Sequence, residues 1–213
     1  MGQIATFAFD QKKHYLAQMT ESLINTRLMN KAVDYLGRYA TSQHRLREVL
    51  ERFALRKLDK HNPDKIAAAI GATVKRCLTL GYLNDDAFAQ TQARSHRQQG
   101  RSKIDIRQRL RQHGLDDTLI DAALEEADQH SANGELLAAF RFARRRRLGP
   151  FDRQRYVNEK GREALMQRQQ RQLGSLARAG FTMPISHTVI GLEDRDAAET
   201  LLDQLEKGED PTV

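Results

Sequence analysis

Between Arg94 and Arg111 the chain carries seven basic residues (Arg94, Arg97, Arg101, Lys103, Arg107, Arg109, Arg111) against one acid, Asp105. On a helix, Lys103, Arg107 and Arg111 fall at i, i+4 and i+8. They stack into one ridge beside the apolar stripe of Ile106 and Leu110. Such a ridge can meet phosphates or an acidic groove, and the planar guanidinium of arginine suits two-point contact to either. The plainer reading of any single ridge is a solvated helix face. A second set is the run Arg144 to Arg147, with Arg141 one turn earlier. Near a helix C-terminus part of this charge only offsets the macrodipole. Consecutive arginines also point in different directions around a helix, so they cannot all serve one surface; Arg144, Arg145 and Arg147 are the candidates. The third set, Arg162, Arg168, Arg171 and Arg178, is sparser, and Arg168 and Arg171 are its candidates.

Residues for catalysis are harder to find. No glycine loop of the G-x-x-x-x-G-K-[ST] kind is present, so no ATPase is expected. The seven histidines are scattered, none paired with Cys or Asp at metal-ligand spacing. Asp85-Asp86 and Asp116-Asp117 sit where helix caps are needed, and capping accounts for them better than acid–base chemistry. A hydrolase acting on nucleic acid would need an acidic metal site, and none is visible. The expectation is a protein that binds, with no cofactor, no metal and no catalytic residue.

Bulk properties point the same way. The chain has 213 residues, 35 Lys and Arg against 28 Asp and Glu, and a net charge of +7. Residues 193–213 hold eight acids and two bases, a net of −6, which leaves +13 on residues 1–192. A body this basic implies a polyanionic partner or an acidic protein surface. The acidic end reads most simply as a flexible solubilising tail; a second reading has it fold back on the basic body and compete with the partner. The single cysteine, Cys77, excludes an internal disulfide framework and falls on an apolar helix side, as a buried small hydrophobe would. No apolar run approaches the ~20 residues needed to span a membrane, and the first 25 residues lack the order of a secretory signal. The cytoplasm is the expected location.

The elements that must position these residues are helices. Residues 1–28 read as an extension with room for one helix, through Leu16, Met19 and Leu23. From residue 30 the spacing is regular: Ala32, Tyr35, Leu36 and Tyr39, then Leu46, Val49, Leu50 and Phe53 after a cap at Thr41 or Ser42. After a break at His61-Asn62-Pro63 comes a helix with Ile66, Ile70, Val74, Cys77 and Leu78. The pattern continues with Ser102 capping Ile106 and Leu110, Asp116 or Asp117 starting Leu119 to Leu124, and a helix over Glu135–Arg147 that Gly149-Pro150 breaks. A long helix over Arg162–Ala179, one beginning near Pro184, and an acidic amphipathic one with Ala198, Leu201, Leu202 and Leu205 complete the chain. No run alternates between polar and apolar, so no sheet is expected.

Three helix ends repeat one phrase: apolar helix, Gly, large apolar residue, cap. They are Gly81-Tyr82 with Asn84 and Asp85, Gly114-Leu115 with Asp116, and Gly180-Phe181 with Thr182, the glycines 33 and then 66 residues apart. Glycine takes the left-handed turn that stops the helix, the next apolar residue is expected to tuck onto the core, and the polar one starts the following helix. Ser42-Gln43-His44-Arg45-Leu46-Arg47 before Leu50 also matches Ser102-Lys103-Ile104-Asp105-Ile106-Arg107 before Leu110. The fold class is therefore all-α: three tandem three-helix repeats, helix-turn-helix-like, in an elongated curved molecule without a sheet. The divisions are 1–28 extension, 29–88, 89–130 and 131–192 repeats, and 193–213 acidic tail. A spacing near 33 also fits solenoids of tetratricopeptide type, but their Trp-Leu-Gly-Tyr pattern is missing.

These residues resemble the RecX family. Its opening repeat is matched by Ala32, Tyr35-Leu36, Arg38, Ser42, Leu46, Leu50, Leu80-Gly81-Tyr82-Leu83-Asn84-Asp85 and Phe88-Ala89. The second is matched by Arg94-Ser95, Arg97, Gly100-Arg101, Ile106-Arg107-Gln108-Arg109-Leu110 and Gly114-Leu115. The third is looser, with Ala139, Ala143, Arg147, Leu176, Arg178, Gly180-Phe181 and Ile190. The resemblance implies a monomer that binds the RecA filament on single-stranded DNA, lies in its groove and restrains ATP hydrolysis, strand exchange and coprotease action, with some direct DNA contact. Residues 1–28 precede the family's usual start: either they are a genuine extension or the first residue is Met19 or Met29. The rival reading is a free-standing DNA-binding regulator of helix-turn-helix type. Against it, the bases spread over three unlike units instead of concentrating on one recognition helix.

Overall fold

The computed structural model describes residues 2–59, 61–129, 133–152, 161–192 and 194–209, with the side chains of 2–17, 161 and 162 left aside. Expectations resting on Leu16, Arg162, Glu193 and Asp210 lie outside those described side chains. Among the described residues there are ten α-helices and no strand: α1 Gly2–Leu36, α2 Gln43–Lys57, α3 Pro63–Thr79, α4 Asp85–Gln98, α5 Lys103–Gln112, α6 Asp117–Asp128, α7 Gly134–Arg146, α8 Gly161–Arg178, α9 Met183–Gly191 and α10 Arg195–Glu206. A 3-10 turn, Gly149–Phe151, follows α7. The chain divides into two compact units, residues 1–88 and 89–213, with the division inside α4.

In the first unit every core helix presents one row at spacings of three or four. Ile24, Leu28 and Ala32 of α1 meet Leu46, Leu50 and Ala54 of α2, Leu58 just past its end, and Ile70, Val74 and Cys77 of α3. Each row is a single stripe down one helix face, so three helices close around one another. The stripe on α1 is not the one read from the sequence, since Met19 and Leu23 are exposed and Ile24 and Leu28 are buried. Helix α1 also runs unbroken through residues 28 and 29, where the sequence reading set an extension apart. Once a helix is nucleated and packed, adding residues costs little, so weak periodicity before residue 24 does not stop it.

The caps are where the side-chain chemistry places them. The Ser42 and Ser102 hydroxyls accept from the amides of Arg45 and Asp105, both at 3.2 Å. Asn62 accepts from Asp64 and Lys65 with Pro63 in the first turn of α3, and Asp116 accepts from Leu119 at 2.8 Å. The glycine turns close as expected, with the residue after each glycine bonding back five residues: Tyr82 to Cys77, Leu115 to Leu110 and Phe181 to Leu176. One expectation fails. Leu115 and Phe181 tuck inward, but Tyr82 is 53% exposed and Leu83 is buried instead. This turn is one residue longer, its cap Asn84 lying three residues past the glycine against two for Asp116 and Thr182, so the inward position moves on by one.

The second unit holds α4 from residue 89 to α10. Leu137, Phe140 and Ala143 of α7, Leu176 of α8, Phe181 of the following turn, Val189 and Ile190 of α9, and Ala198, Leu202 and Leu205 of α10 belong to one core cluster. Residues 195–206, expected as part of a flexible acidic tail, are thus a packed helix. Their apolar stripe lies in the core, so hydrophobic burial fixes their position, and Glu199 and Glu206 at its edge meet arginines of α7. The α4–α5 turn lies against α7 so closely that a Cβ at Gly100 would stand 2.7 Å from the Phe142 amide nitrogen and 2.9 Å from the Ala138 carbonyl oxygen. Nothing but glycine fits there.

Candidate anion-binding surface

The ridge on α5 is built as the spacing implied, and its charge is already answered. Helices α5 and α6 form an antiparallel hairpin. Arg111 bonds Asp117 at 2.7 Å, Arg107 bonds Asp121, and Lys103 reaches Asp128 at 3.0 Å. The three cations of one row face three acids of the next helix. Outside this ladder, Arg94 stands 3.6 Å from Glu126, and Arg101 and Arg109 both grip Asp105. Burial alone would push the Asp105 carboxyl up, but the hydrogen bonds from Arg101 and Arg109 outweigh it and hold it below the ordinary carboxylate range. The hydrogen bond from Arg111 lowers Asp117 likewise. The signal for these partners stood in the sequence as the acids 117, 121 and 128, which share a face of α6.

Arg97 has a different place. It is 5% exposed, and its guanidinium spans two carboxylates: Nε and Nη2 donate to Asp128 at 2.9 and 2.6 Å, and Nη1 donates to Glu135 at 2.6 Å. It also donates to the Arg101 carbonyl oxygen at 3.1 Å. The sequence grouped Arg97 with surface contacts; here it ties α4, α6 and α7 together from inside. Arg168 is similarly engaged, forked onto Asp152 at 2.7 and 2.8 Å, while Gln172 donates to the same carboxylate and accepts from the Gly149 amide. That arrangement holds the 3-10 turn against α8.

The arginines of α7 split into two groups. Arg141 and Arg144 turn to α10, donating to Glu206 at 3.0 Å and Glu199 at 3.3 Å. Arg145, Arg146 and Arg147 are exposed and have no acidic partner among the described residues. Arg145 lies over the Phe142 ring at 5.8 Å and donates to the Gln99 carbonyl oxygen, which fixes its direction. Arg147 closes the helix in the left-handed conformation, φ 55° and ψ 53°, and is the only non-glycine residue with positive φ among those described. The bond from the Leu148 amide to the Ala143 carbonyl makes the turn the same one that Gly81, Gly100, Gly114 and Gly180 make elsewhere. A side chain in that conformation costs about 1–2 kcal/mol. Arg171 is also exposed and donates to the carbonyl oxygen of Gln167. Arg146 was absent from the sequence candidates, and nothing but its place in the run would have singled it out.

Two further recesses of about 410 Å³ each are present. One lies between α1 and α3, beside Asn25, Asn30, Thr73 and Arg76; the other is bordered by Lys103, Asp128, Glu135, Pro184 and Thr188. Among the described residues no group of three or more His, Cys, Asp or Glu could hold a metal ion, and no helix is long and apolar enough to cross a membrane.

Comparison with known proteins bears on what these surfaces serve. A family model described as RecX, second three-helix domain, matches residues 84–124, which are α4 to α6. The chain is similar to the regulatory protein RecX of Myxococcus xanthus, 36% identical over 183 residues, covering 85% of this chain and 93% of the relative. It is also similar to the regulatory protein RecX of Agrobacterium fabrum, 28% identical over 174 residues, covering 82% and 87%. The crystal structure of RecX from Lactobacillus salivarius superimposes with a TM-score of 0.57 at 20% identity, covering 80% of this chain and 96% of that one. A further crystal structure of a regulatory protein RecX gives 0.60 at 20%, covering 84% and 77%. At such identities these two likenesses speak to the fold, which is the all-helical fold of tandem three-helix units.

Proposed function

The chain belongs to the RecX family of regulatory proteins, and on that premise we propose that it regulates the RecA recombinase by binding the RecA filament on single-stranded DNA. Binding there restrains ATP hydrolysis, strand exchange and coprotease action, which places the protein in the control of recombination, DNA repair and the SOS response in the cytoplasm. The observation that carries this reading is the match to a regulatory RecX protein over 85% of this chain and 93% of the relative. The repeats at 29–88, 89–130 and 131–192 are the units that would make successive contacts along the filament. The chain acts as a monomer and catalyses nothing itself; its effect comes from occupying a surface that RecA needs.

The test is single-stranded-DNA-dependent ATP hydrolysis by RecA, with the full chain titrated in below stoichiometry and its own DNA binding measured in parallel. Inhibition far below the concentration at which the chain alone coats the DNA supports the filament as target. No effect on RecA together with tight, salt-dependent DNA binding would overturn it in favour of a free-standing helix-turn-helix regulator.

A further inference from the structure

Folding neutralises the cations of this chain unevenly. The row on α5 meets Asp117, Asp121 and Asp128, and Arg141 and Arg144 meet α10. Arg145, Arg146 and Arg147 remain, consecutive and exposed at one helix end. We infer that this end of α7 is a phosphate-contact site for the backbone of the nucleic acid, with Arg147 as a binding residue kept against its backbone preference.

Three observations converge on phosphate. Among the described residues no acid meets Arg146 or Arg147, while most of the other candidate arginines hold one. The turn at Arg147 is one that the chain makes with glycine at residues 81, 100, 114 and 180; a strained residue replacing an unstrained one marks a position where the side chain is needed. Finally, the site has no apolar anchor. Leu136, Phe142 and Leu148 are at least partly buried, and none of the exposed large hydrophobic residues falls between 134 and 152. Protein interfaces draw their affinity from buried aromatic and apolar anchors, whereas backbone contact to nucleic acid requires little beyond positive charge. Guanidinia leaving one helix end in different directions can reach successive phosphates of a strand that curves past it. The inference rests on the reading above in that the target includes DNA.

The experiment is fluorescence anisotropy of a labelled thymidine oligonucleotide with the full chain, from 50 to 200 mM salt, beside the RecA ATPase titration. Replacing Arg145, Arg146 and Arg147 together by Gln should flatten the log–log salt slope by about 2, at ~0.7 per single-strand phosphate, and weaken binding about tenfold or more at the low-salt end. Replacing Lys103, Arg107 and Arg111 by Gln should change binding much less. All six residues lie on the surface or near it, and an unchanged helical circular dichroism spectrum confirms that each variant folds. Wild-type binding by the α7 variant overturns the inference, as does a wild-type chain that binds no DNA. A variant with normal DNA binding but no hold on RecA overturns the phosphate assignment and leaves the function proposed above standing. DNA binding through α7 by a chain that leaves RecA untouched upholds the inference and removes that function.

Discussion

The arginines of α5 and those ending α7 are alike in sequence and opposite in circumstance. The α5 row has the ideal helical spacing and the larger excess of bases around it, yet each member faces an acid from α6. The α7 run has no useful periodicity, and its last three members face solvent. A local charge count measures what a segment contributes. It does not measure what the neighbouring helix brings to the same surface. Exposed pairs contribute little to stability, so the α6 acids are better understood as silencing the α5 row than as holding the hairpin together; the apolar stripe of Ile106, Leu110, Ile120, Ala123 and Leu124 does that.

The sharpest way to break this comparison is to attack the arginine that belongs to neither group. Arg97→Met would leave Asp128 and Glu135 without the guanidinium between them, in a place only partly open to water. Lys103 remains for Asp128, so the loss should be near the lower end for a broken buried pair, about 3 kcal/mol. A lowered urea midpoint at unchanged slope would register it; a midpoint within error of the wild type would show that Arg97 is no more structural than the surface row. A smaller effect of opposite sign is expected at Arg147. Arg147→Gly relieves the left-handed strain and should raise stability by about 1 kcal/mol, seen as a higher melting temperature, while DNA affinity falls. If stability and affinity fell together, the turn would need the arginine for its own sake. The smallest effect tests the silencing itself. Asp117→Asn with Asp121→Asn releases Arg111 and Arg107, so DNA affinity at low salt should rise about threefold as two more cations become available, with the melting temperature hardly changed. Unaltered affinity would mean that something other than pairing keeps the α5 row out of contact.

Much of this architecture could be read from residue types. The serine caps, the glycine turns and the break at Pro63 follow from local chemistry that does not depend on tertiary surroundings, and the helices fall where these signals put them. Most of the readings that changed involve a second element. The stripe of Ala198, Leu202 and Leu205 was visible, but the face of α7 that buries it is assembled by folding, so the acidic composition of the segment dominated. Tyr82 was expected inside because it follows the glycine directly, although its cap, Asn84, lies one residue further on than in the other two turns. The ridge on α5 was placed correctly, and what it lacked was its partner across the hairpin. The left-handed turn at Arg147 has no sequence signal at all, because the usual sign of such a turn is glycine and an arginine hides it.

One joint in this molecule is used twice. The first amide of α2, that of Gln43, donates to Asp85 at 2.9 Å, and the first amide of α5, that of Lys103, donates to Glu135 at 3.2 Å. Each acceptor stands in the first turn of the helix that opens the following three-helix group. During synthesis the chain emerges from its N-terminus, and domains generally fold in that order. A serine-capped helix therefore leaves the ribosome with one amide still turned to water, and the carboxylate that completes it arrives about thirty to forty residues later at the growing end. Each group is finished by the first turn of the next, so a stalled or truncated chain ends on an open joint.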